Sequence, residues 1–149
     1  MAGMIFRVPF KDVTLTATTA RTILLVKAPT NIRLKLRRLA IFANGTTGTN
    51  EPILVDLNRC STDGSLGTSS GNTSKNDASK TETIQTTVYT GTVTTEPTVD
   101  STHSSYRFHP QNGMFEALDG IEVKGGERWA VKLTADNTVD VSGYLELEE

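Results

Sequence analysis

Hydrophobic and polar side chains alternate with a period of two residues along most of this chain, which is the pattern of half-buried β-strands. The clearest alternation lies between Gly125 and Glu148. Its two arms place the following residues on one face: Trp129, Val131, Leu133 and Ala135, then Val139, Val141, Gly143, Leu145 and Leu147. Turn-forming residues separate the arms at Asp136-Asn137-Thr138, so we predict a β-hairpin. A hairpin alone is marginally stable, so a second sheet must cover its apolar face.

Two segments near the N-terminus predict strands with different surroundings. From Met4 to Phe10, every second residue is apolar, but Pro9 lacks an N–H donor, which favours an edge strand. From Thr22 to Ala28 the chain is apolar on both faces until Lys27. This second pattern is typical of a strand that is covered on two sides.

The phase of the alternation changes within the segment from Ile32 to Asn44. Apolar residues on the inward face are Ile32, Leu34 and Leu36 before the change and Leu39, Ile41 and Ala43 after it. One extra residue at Arg37-Arg38 explains the change, and it predicts a β-bulge that bends the strand.

Further strands are indicated by shorter patterns, at Ile53–Leu57, Thr83–Val93, Tyr106–Phe108 and Met114–Val123, the last following a turn at Gln111-Asn112-Gly113. We therefore expect eight or nine strands and no helix. Strands of this spacing, with turns between them, predict an all-β fold, namely an antiparallel β-sandwich of jelly-roll type that forms a single domain over residues 1–149.

The segment from Ser61 to Lys80 interrupts the pattern of strands. Leu66 is its one large apolar residue, and the rest is mainly Gly, Ser, Thr, Asn, Asp and Lys. Such a composition buries too little apolar surface to offset the entropy of ordering the chain. We predict a long, exposed and flexible loop.

Composition narrows the classes of partner. The 149 residues carry a formal net charge of −2, which gives no long-range attraction for nucleic acid, so no nucleic-acid partner is expected. A basic stripe of Arg33, Lys35, Arg37 and Arg38 lacks neighbouring aromatic residues for stacking on bases. The stripe is either a solvated strand face, a set of partners for the acids Glu146, Glu148 and Glu149, or a contact for an acidic protein surface.

The N-terminus lacks the pattern of a signal peptide, and no run of about 18 apolar residues predicts a membrane span. We therefore expect no membrane partner. The single cysteine, Cys60, cannot form an internal disulfide bond, so the fold does not depend on an oxidising compartment.

Candidate catalytic chemistry is sparse. His103, His109 and Cys60 do not have the spacing of a metal site, and no GxSxG motif is present. Five glutamates could supply pairs of carboxylates for glycoside hydrolysis: Glu51, Glu82, Glu96, Glu116 and Glu122. Nothing in the sequence indicates that any two of them lie close together, so we interpret them as solvated acids on the surface. We predict no catalytic residue, no cofactor, no metal and no enzymatic activity.

Several stretches carry a resemblance to a known class of proteins: VPFKDVTLTA, APTNIRLKLRRLAIFANGT, TTEPT, RFHPQNG and GGERWAVKLTADNTVDVSGYLELEE. In these stretches the chain resembles small β-rich structural proteins encoded among the virion genes of tailed bacteriophages, of which those on capsids serve as decoration, or cement, proteins. The resemblance implies a jelly-roll-like sandwich that is made in the host cytoplasm and binds the outer surface of the major capsid protein lattice. It also implies a homotrimer at three-fold positions that does no chemistry.

For the contact residues we predict two groups: the N-terminal apolar residues Met4, Ile5, Phe6, Val8 and Phe10, and the basic residues Arg33, Lys35 and Arg37. The N-terminal segment is more apolar than an edge strand requires, which indicates burial against a partner. We expect a protein lacking its first seven residues to fold but not to bind.

Two other functions remain open. A carbohydrate- or receptor-binding module would use Tyr89, Tyr106 and Trp129 as exposed stacking platforms, although Trp129 is in phase with the inward-facing Val131. A hydrolase that uses the glutamates ranks last.

Overall fold

The computed structural model describes residues 3–44, 51–65, 73–91 and 93–149. Within them the chain forms ten β-strands and no helix. The strands are β1 (Ile5–Leu15), β2 (Arg21–Lys27), β3 (Leu34–Asn44), β4 (Ile53–Cys60), β5 (Ser74–Lys75), β6 (Thr87–Thr90), β7 (Val99–Phe108), β8 (Met114–Val123), β9 (Arg128–Thr134) and β10 (Val139–Glu148).

The strands form two five-stranded sheets in which every pair of neighbours is antiparallel. The first, called the β1 sheet, has the order β5-β1-β10-β3-β8, and the second, called the β2 sheet, has the order β6-β2-β9-β4-β7. Without the short β5 and β6, each sheet keeps four long strands, and the first and last long strands of the chain lie side by side. This is the strand order of a jelly roll, so the predicted fold class is confirmed.

The core lies between the two sheets, and residues of the predicted alternating faces fill it. Phe6, Leu39, Val55 and Leu145 are at most 1% exposed. Trp129, 2% exposed, belongs to the same core. The inward phase that the sequence indicated for the last two strands is therefore confirmed.

The predicted hairpin between Gly125 and Glu148 is wrong, although both of its arms are strands. β9 pairs with β2 and β4, whereas β10 pairs with β1 and β3 in the other sheet. The turn at residues 136–138 therefore crosses from one sheet to the other. β9 and β10 therefore each have two strand neighbours, and they are not neighbours of each other.

The predicted bulge in β3 is confirmed. Leu36 is opposite Leu147, and Arg38 is opposite Glu146, so Arg37 is the extra residue between them. A second bulge interrupts β1 between Phe10 and Val13. It lies at Lys11 and Asp12, and Asp12 has a positive φ of 51°.

The strand β2 is covered on both faces, as its sequence indicated. Leu24 and Val26 belong to the main core, whereas Leu25 packs on the other side in a small cluster with Cys60, Val93 and Ala130. Chain segments that lie outside the two sheets therefore add apolar cover to the β2 sheet.

The carboxylate of Glu96 fastens the covering segment that includes Val93. It accepts hydrogen bonds from the backbone N–H of Thr22 at 3.0 Å and from the Thr22 hydroxyl at 2.6 Å. Since Thr22 is buried, these bonds satisfy polar groups that water does not reach.

The segment from Ser61 to Lys80 is attached to the sandwich at both ends in the part that the structure describes. Near its start, Asp63 pairs with Arg128. Near its end, Ser74 and Lys75 form β5, which pairs with Arg7 and Phe6 of β1. Residues 66–72 lie outside the described residues, and the flexibility of the loop stays a prediction.

Candidate functional site

The predicted contact residues of the N-terminal strand lie mainly inside the protein. Phe6 and Val8 have no exposed surface, and Met4 and Phe10 are 7% and 4% exposed. Their apolar character is explained by the core of the same chain, which removes the argument that a partner must cover them. Only Ile5 of this group is partly accessible.

The expectation that a protein lacking its first seven residues folds is also corrected. β1 is flanked at Phe6 and Arg7 by β10 on one side and by β5 on the other, so it is not an edge strand there. Deletion would remove the Phe6 side chain from the core.

The predicted basic residues differ in their surroundings. Arg33 is 80% exposed in its side chain and lies 3.7 Å from Glu122. Lys35 is exposed on β3. Arg37 donates a hydrogen bond to Glu148 at 2.9 Å and lies 3.4 Å from Glu146, so the predicted pairing across the sheet is confirmed for this residue.

An apolar row crosses the outer face of the β1 sheet and is the most distinctive surface feature of the described residues. It consists of four residues opposite one another on successive strands: Pro9, Tyr144, Ala40 and Phe115. Ala40 has no exposed surface and Tyr144 is half-buried, so Pro9 and Phe115 are the exposed ends of the row. Phe115 is 57% exposed, and Phe42, on the same face of β3, is 47% exposed. Their neighbours in sequence, Met114 and Ile41, point into the core, so these rings point outward.

A charged row runs beside the apolar row. It places Arg7, Glu146 and Arg38 opposite one another on β1, β10 and β3. Glu146 is only 4% exposed, and its carboxylate accepts a hydrogen bond from Arg7 Nε at 3.0 Å and one from Asn76 Nδ2 at 3.4 Å. Arg37 also contacts this carboxylate and pairs with Glu148, so the charge of Glu146 is fully paired within the chain. Arg38 forms no ion pair among the described residues, so the row keeps a net positive charge.

The electrostatics of Glu146 reflect two opposing effects. Burial alone would favour the neutral acid, but hydrogen bonds from Arg7 and Asn76, with the charges of Arg7 and Arg38, hold the pKa of Glu146 below its ordinary value. The charged row therefore remains ionised at neutral pH.

Two arginines connect the charged row to the apolar row. The guanidinium carbon of Arg7 lies 4.1 Å from the centroid of the Tyr144 ring, and that of Arg38 lies 5.6 Å from the centroid of Phe115. These distances are in the range of cation–π contacts. We call the two rows together with Phe42 the aromatic face.

The aromatic face has properties of a protein-docking surface. Exposed aromatic residues and arginines are enriched where proteins bind one another, and their loss often costs most of the binding energy. Charges that are already paired within one chain need no partner charge when water is removed. Glu146 can therefore be buried against another protein without leaving an unpaired negative charge, whereas Arg38 remains available to an acidic group of the partner.

The alternating pattern did not indicate Phe42 and Phe115 as contact residues, because it identifies the residues that face the core. Phe42 lies between Ile41 and Ala43 of the apolar face, and Phe115 follows Met114. The available signal was that both rings fall on the polar phase of their strands, where a large apolar residue needs an explanation.

The residues considered for chemistry are engaged in local structure. The His103 ring packs on Trp129 with a centroid distance of 5.3 Å, and His109 Nδ1 accepts a hydrogen bond from the backbone N–H of Gln111. Cys60 is buried, which raises the pKa of its thiol to about 11. The described residues contain no group of three or more His, Cys, Asp or Glu side chains that could hold a metal ion.

The three rings suggested for a carbohydrate site do not form an exposed platform. Trp129 is 2% exposed, and Tyr89 and Tyr106 are half-buried against apolar clusters. Within the described part of the chain, no helix has the length and apolar character that crossing a membrane would require.

Comparison with known proteins adds no relative. No model of a known protein family matches the chain, and neither a curated protein nor a solved structure is significantly similar to it.

Proposed function

We propose that this chain is a non-enzymatic structural protein of a tailed-bacteriophage virion that binds the outer surface of the capsid and stabilises it. The major capsid protein is its partner, and the aromatic face makes the contact. The single observation that carries the proposal is the pair of exposed rings, Phe42 and Phe115, on an outer sheet face whose buried acid, Glu146, is already paired within the chain. The resemblance of the sequence to small β-rich virion proteins supplies the identity of the partner.

The physical argument concerns the removal of water. Binding buries charged groups, and an unpaired charge in an interface costs several kcal/mol. Here Glu146 has its partners within the chain, so docking displaces water mainly from the rings of Phe42 and Tyr144. This arrangement suits a partner with a broad, mostly apolar surface that offers an acidic group to Arg38.

Several copies acting together would strengthen a modest contact. A homotrimer at a three-fold position of the lattice would place three aromatic faces on three sites, and each bound copy raises the effective concentration of the others. The bound trimer would then stabilise the capsid by mass action, because it binds the closed shell and not the dissociated capsid subunits.

The test is co-sedimentation with undecorated capsids of the phage that encodes the chain. We expect the wild type to sediment with capsids and to raise the temperature at which they open. Phe42→Glu should weaken this binding by at least about tenfold, because it places a charge in the contact. Val99→Ser is the matched control, since Val99 is an exposed apolar residue of the other sheet and should not contribute.

Two results would contradict the proposal. If the folded wild type binds none of these capsids, the capsid function is wrong. If Phe42→Glu binds as well as Val99→Ser does, the chain binds capsids through another surface.

A further inference from the structure

The two ends of the apolar row differ in shape. At the β8 margin of the sheet, Phe115 protrudes with 57% of its surface exposed. At the β1 margin, Pro9 lines a cleft of about 410 Å³. One chain therefore carries both an apolar projection and an apolar recess, at opposite margins of the same sheet.

The cleft lies between β1 and β6, where the two sheets meet at one side of the sandwich. Its lining is Pro9, Phe10, Lys11, Val13, Thr90 and Gly91. The β1 bulge between Phe10 and Val13 shapes its wall and places Lys11 at an exposed position. The neighbouring Asp12 is also exposed, and its carboxylate accepts a hydrogen bond from Asn44 Nδ2 at 2.6 Å.

Each margin carries an exposed charged residue that has no ion-pair partner among the described residues. The β8 strand carries Glu116, Asp119 and Glu122 and no basic residue. Asp119 is exposed four residues after Phe115 on the same strand, and Lys11 is exposed at the cleft. Within the described residues neither Asp119 nor Lys11 forms an ion pair.

We propose that copies of this chain associate head to tail, with Phe115 of one copy inserted into the Pro9–Gly91 cleft of the next and Asp119 facing Lys11. The contact is heterologous, so it forms a closed ring when the rotation between copies permits closure. This inference deepens the proposed function, because such a ring is the oligomer that would carry several aromatic faces to the capsid. Phe115 and Pro9, at the two ends of the apolar row, are then covered by neighbouring copies, and Phe42 and Tyr144 are the rings of the aromatic face that remain available to the capsid.

A symmetric contact between two β8 margins is disfavoured by their charge. It would place Glu116, Asp119 and Glu122 of both copies against one another, and like charges on adjacent strands repel. The head-to-tail arrangement instead brings Asp119 to Lys11, and it covers the exposed ring of Phe115 with the wall of the cleft.

Sedimentation velocity of the purified chain without capsids tests the contact. The wild type should form an oligomer whose population rises with concentration. Phe115→Ala and Lys11→Glu should each weaken self-association by roughly 10- to 100-fold. The double variant Lys11→Glu/Asp119→Lys should recover much of the loss, because it restores opposite charges across the contact.

Two controls separate this contact from other effects. Phe42→Ala removes an equally exposed ring from the same face and should leave self-association unchanged. A mixture of Phe115→Ala and Lys11→Glu should give a one-to-one pair, because the first variant keeps an intact cleft and the second keeps an intact Phe115. Neither variant alone should form that pair.

The outcomes distinguish this inference from the capsid proposal. A monomeric wild type at all concentrations, an unchanged Phe115→Ala variant, or a mixture that forms no pair would each overturn the head-to-tail contact, even if the chain sediments with capsids. A chain that associates as described but binds no capsid would leave this contact standing and overturn the capsid function.

Discussion

Arg7 and Glu146 are opposite one another on β1 and β10, and Arg7 Nε donates a 3.0 Å hydrogen bond to a carboxylate that is only 4% exposed. Asn76, which follows β5, binds the same carboxylate. The pair therefore joins the first and last long strands of the chain and also holds the end of the Ser61–Lys80 loop against the sheet.

Glu146→Gln should lower the free energy of unfolding by about 1.5 to 3 kcal/mol at neutral pH, the range for hydrogen bonds to charged groups. Because the folded-state pKa of Glu146 is below its ordinary value of 4.5, its stabilisation is present above that value and is lost as pH falls through the folded-state pKa. The difference between wild type and variant should therefore shrink in acid. Urea unfolding at several pH values measures it, and a pH-independent difference would contradict the assignment.

Trp129→Ala should destabilise the protein by about 3 to 5 kcal/mol, because it leaves a cavity in the core. Trp129 is 2% exposed and belongs to the main cluster between the sheets. Thermal and denaturant unfolding measure the effect. Phe115→Ala is the control, since the removal of an exposed ring should change stability by less than about 0.5 kcal/mol.

Gly143→Ala should destabilise the protein by at least about 1 to 3 kcal/mol through overpacking. A Cβ atom at this position would lie 1.9 Å from the backbone oxygen of Ala40 on the neighbouring strand, which cannot move without disturbing the sheet. Gly3→Ala is the matched control, because its Cβ would meet the flexible side chain of Glu148. Equal melting temperatures for the two variants would show that β10 tolerates a side chain there.

Cys60 should resist thiol reagents in the native protein. Burial raises the pKa of its thiol to about 11, so the reactive thiolate is scarce, and the surrounding apolar cluster hinders access. Labelling with a chromogenic disulfide at about pH 8 should be slow without denaturant and fast in urea. Rapid labelling of the folded protein would mean that the cover over the β2 sheet opens readily.

The local pattern of the sequence indicated most of the strands, their inward faces and the β3 bulge, but not β5 or the first part of β7. Alternation with a period of two is a property of each strand alone, so Leu39, Val131 and Leu145 could be assigned to an inward face without knowledge of their partners. The extra residue at Arg37 changed the phase of the pattern, and a phase change is visible in one strand.

Only the tertiary structure decided which strands pair. β9 and β10 have the same alternation whether they form a hairpin or belong to opposite sheets, because the pattern records burial and not the neighbour. The pairing of Ile5 with Glu148 joins the two ends of the chain, and no local signal indicates it.

The tertiary structure also decided which residues form the candidate docking surface. The apolar N-terminal residues were predicted to contact a partner, but the core of the chain itself covers them. Phe42 and Phe115 belong to an exposed face because their strands present the opposite side to the core, and Pro9, Tyr144, Ala40 and Phe115 form a row only because four distant strands share one register. A sequence specifies which side chains share a face of each strand, whereas the row across the strands depends on long-range pairing that only the folded chain establishes.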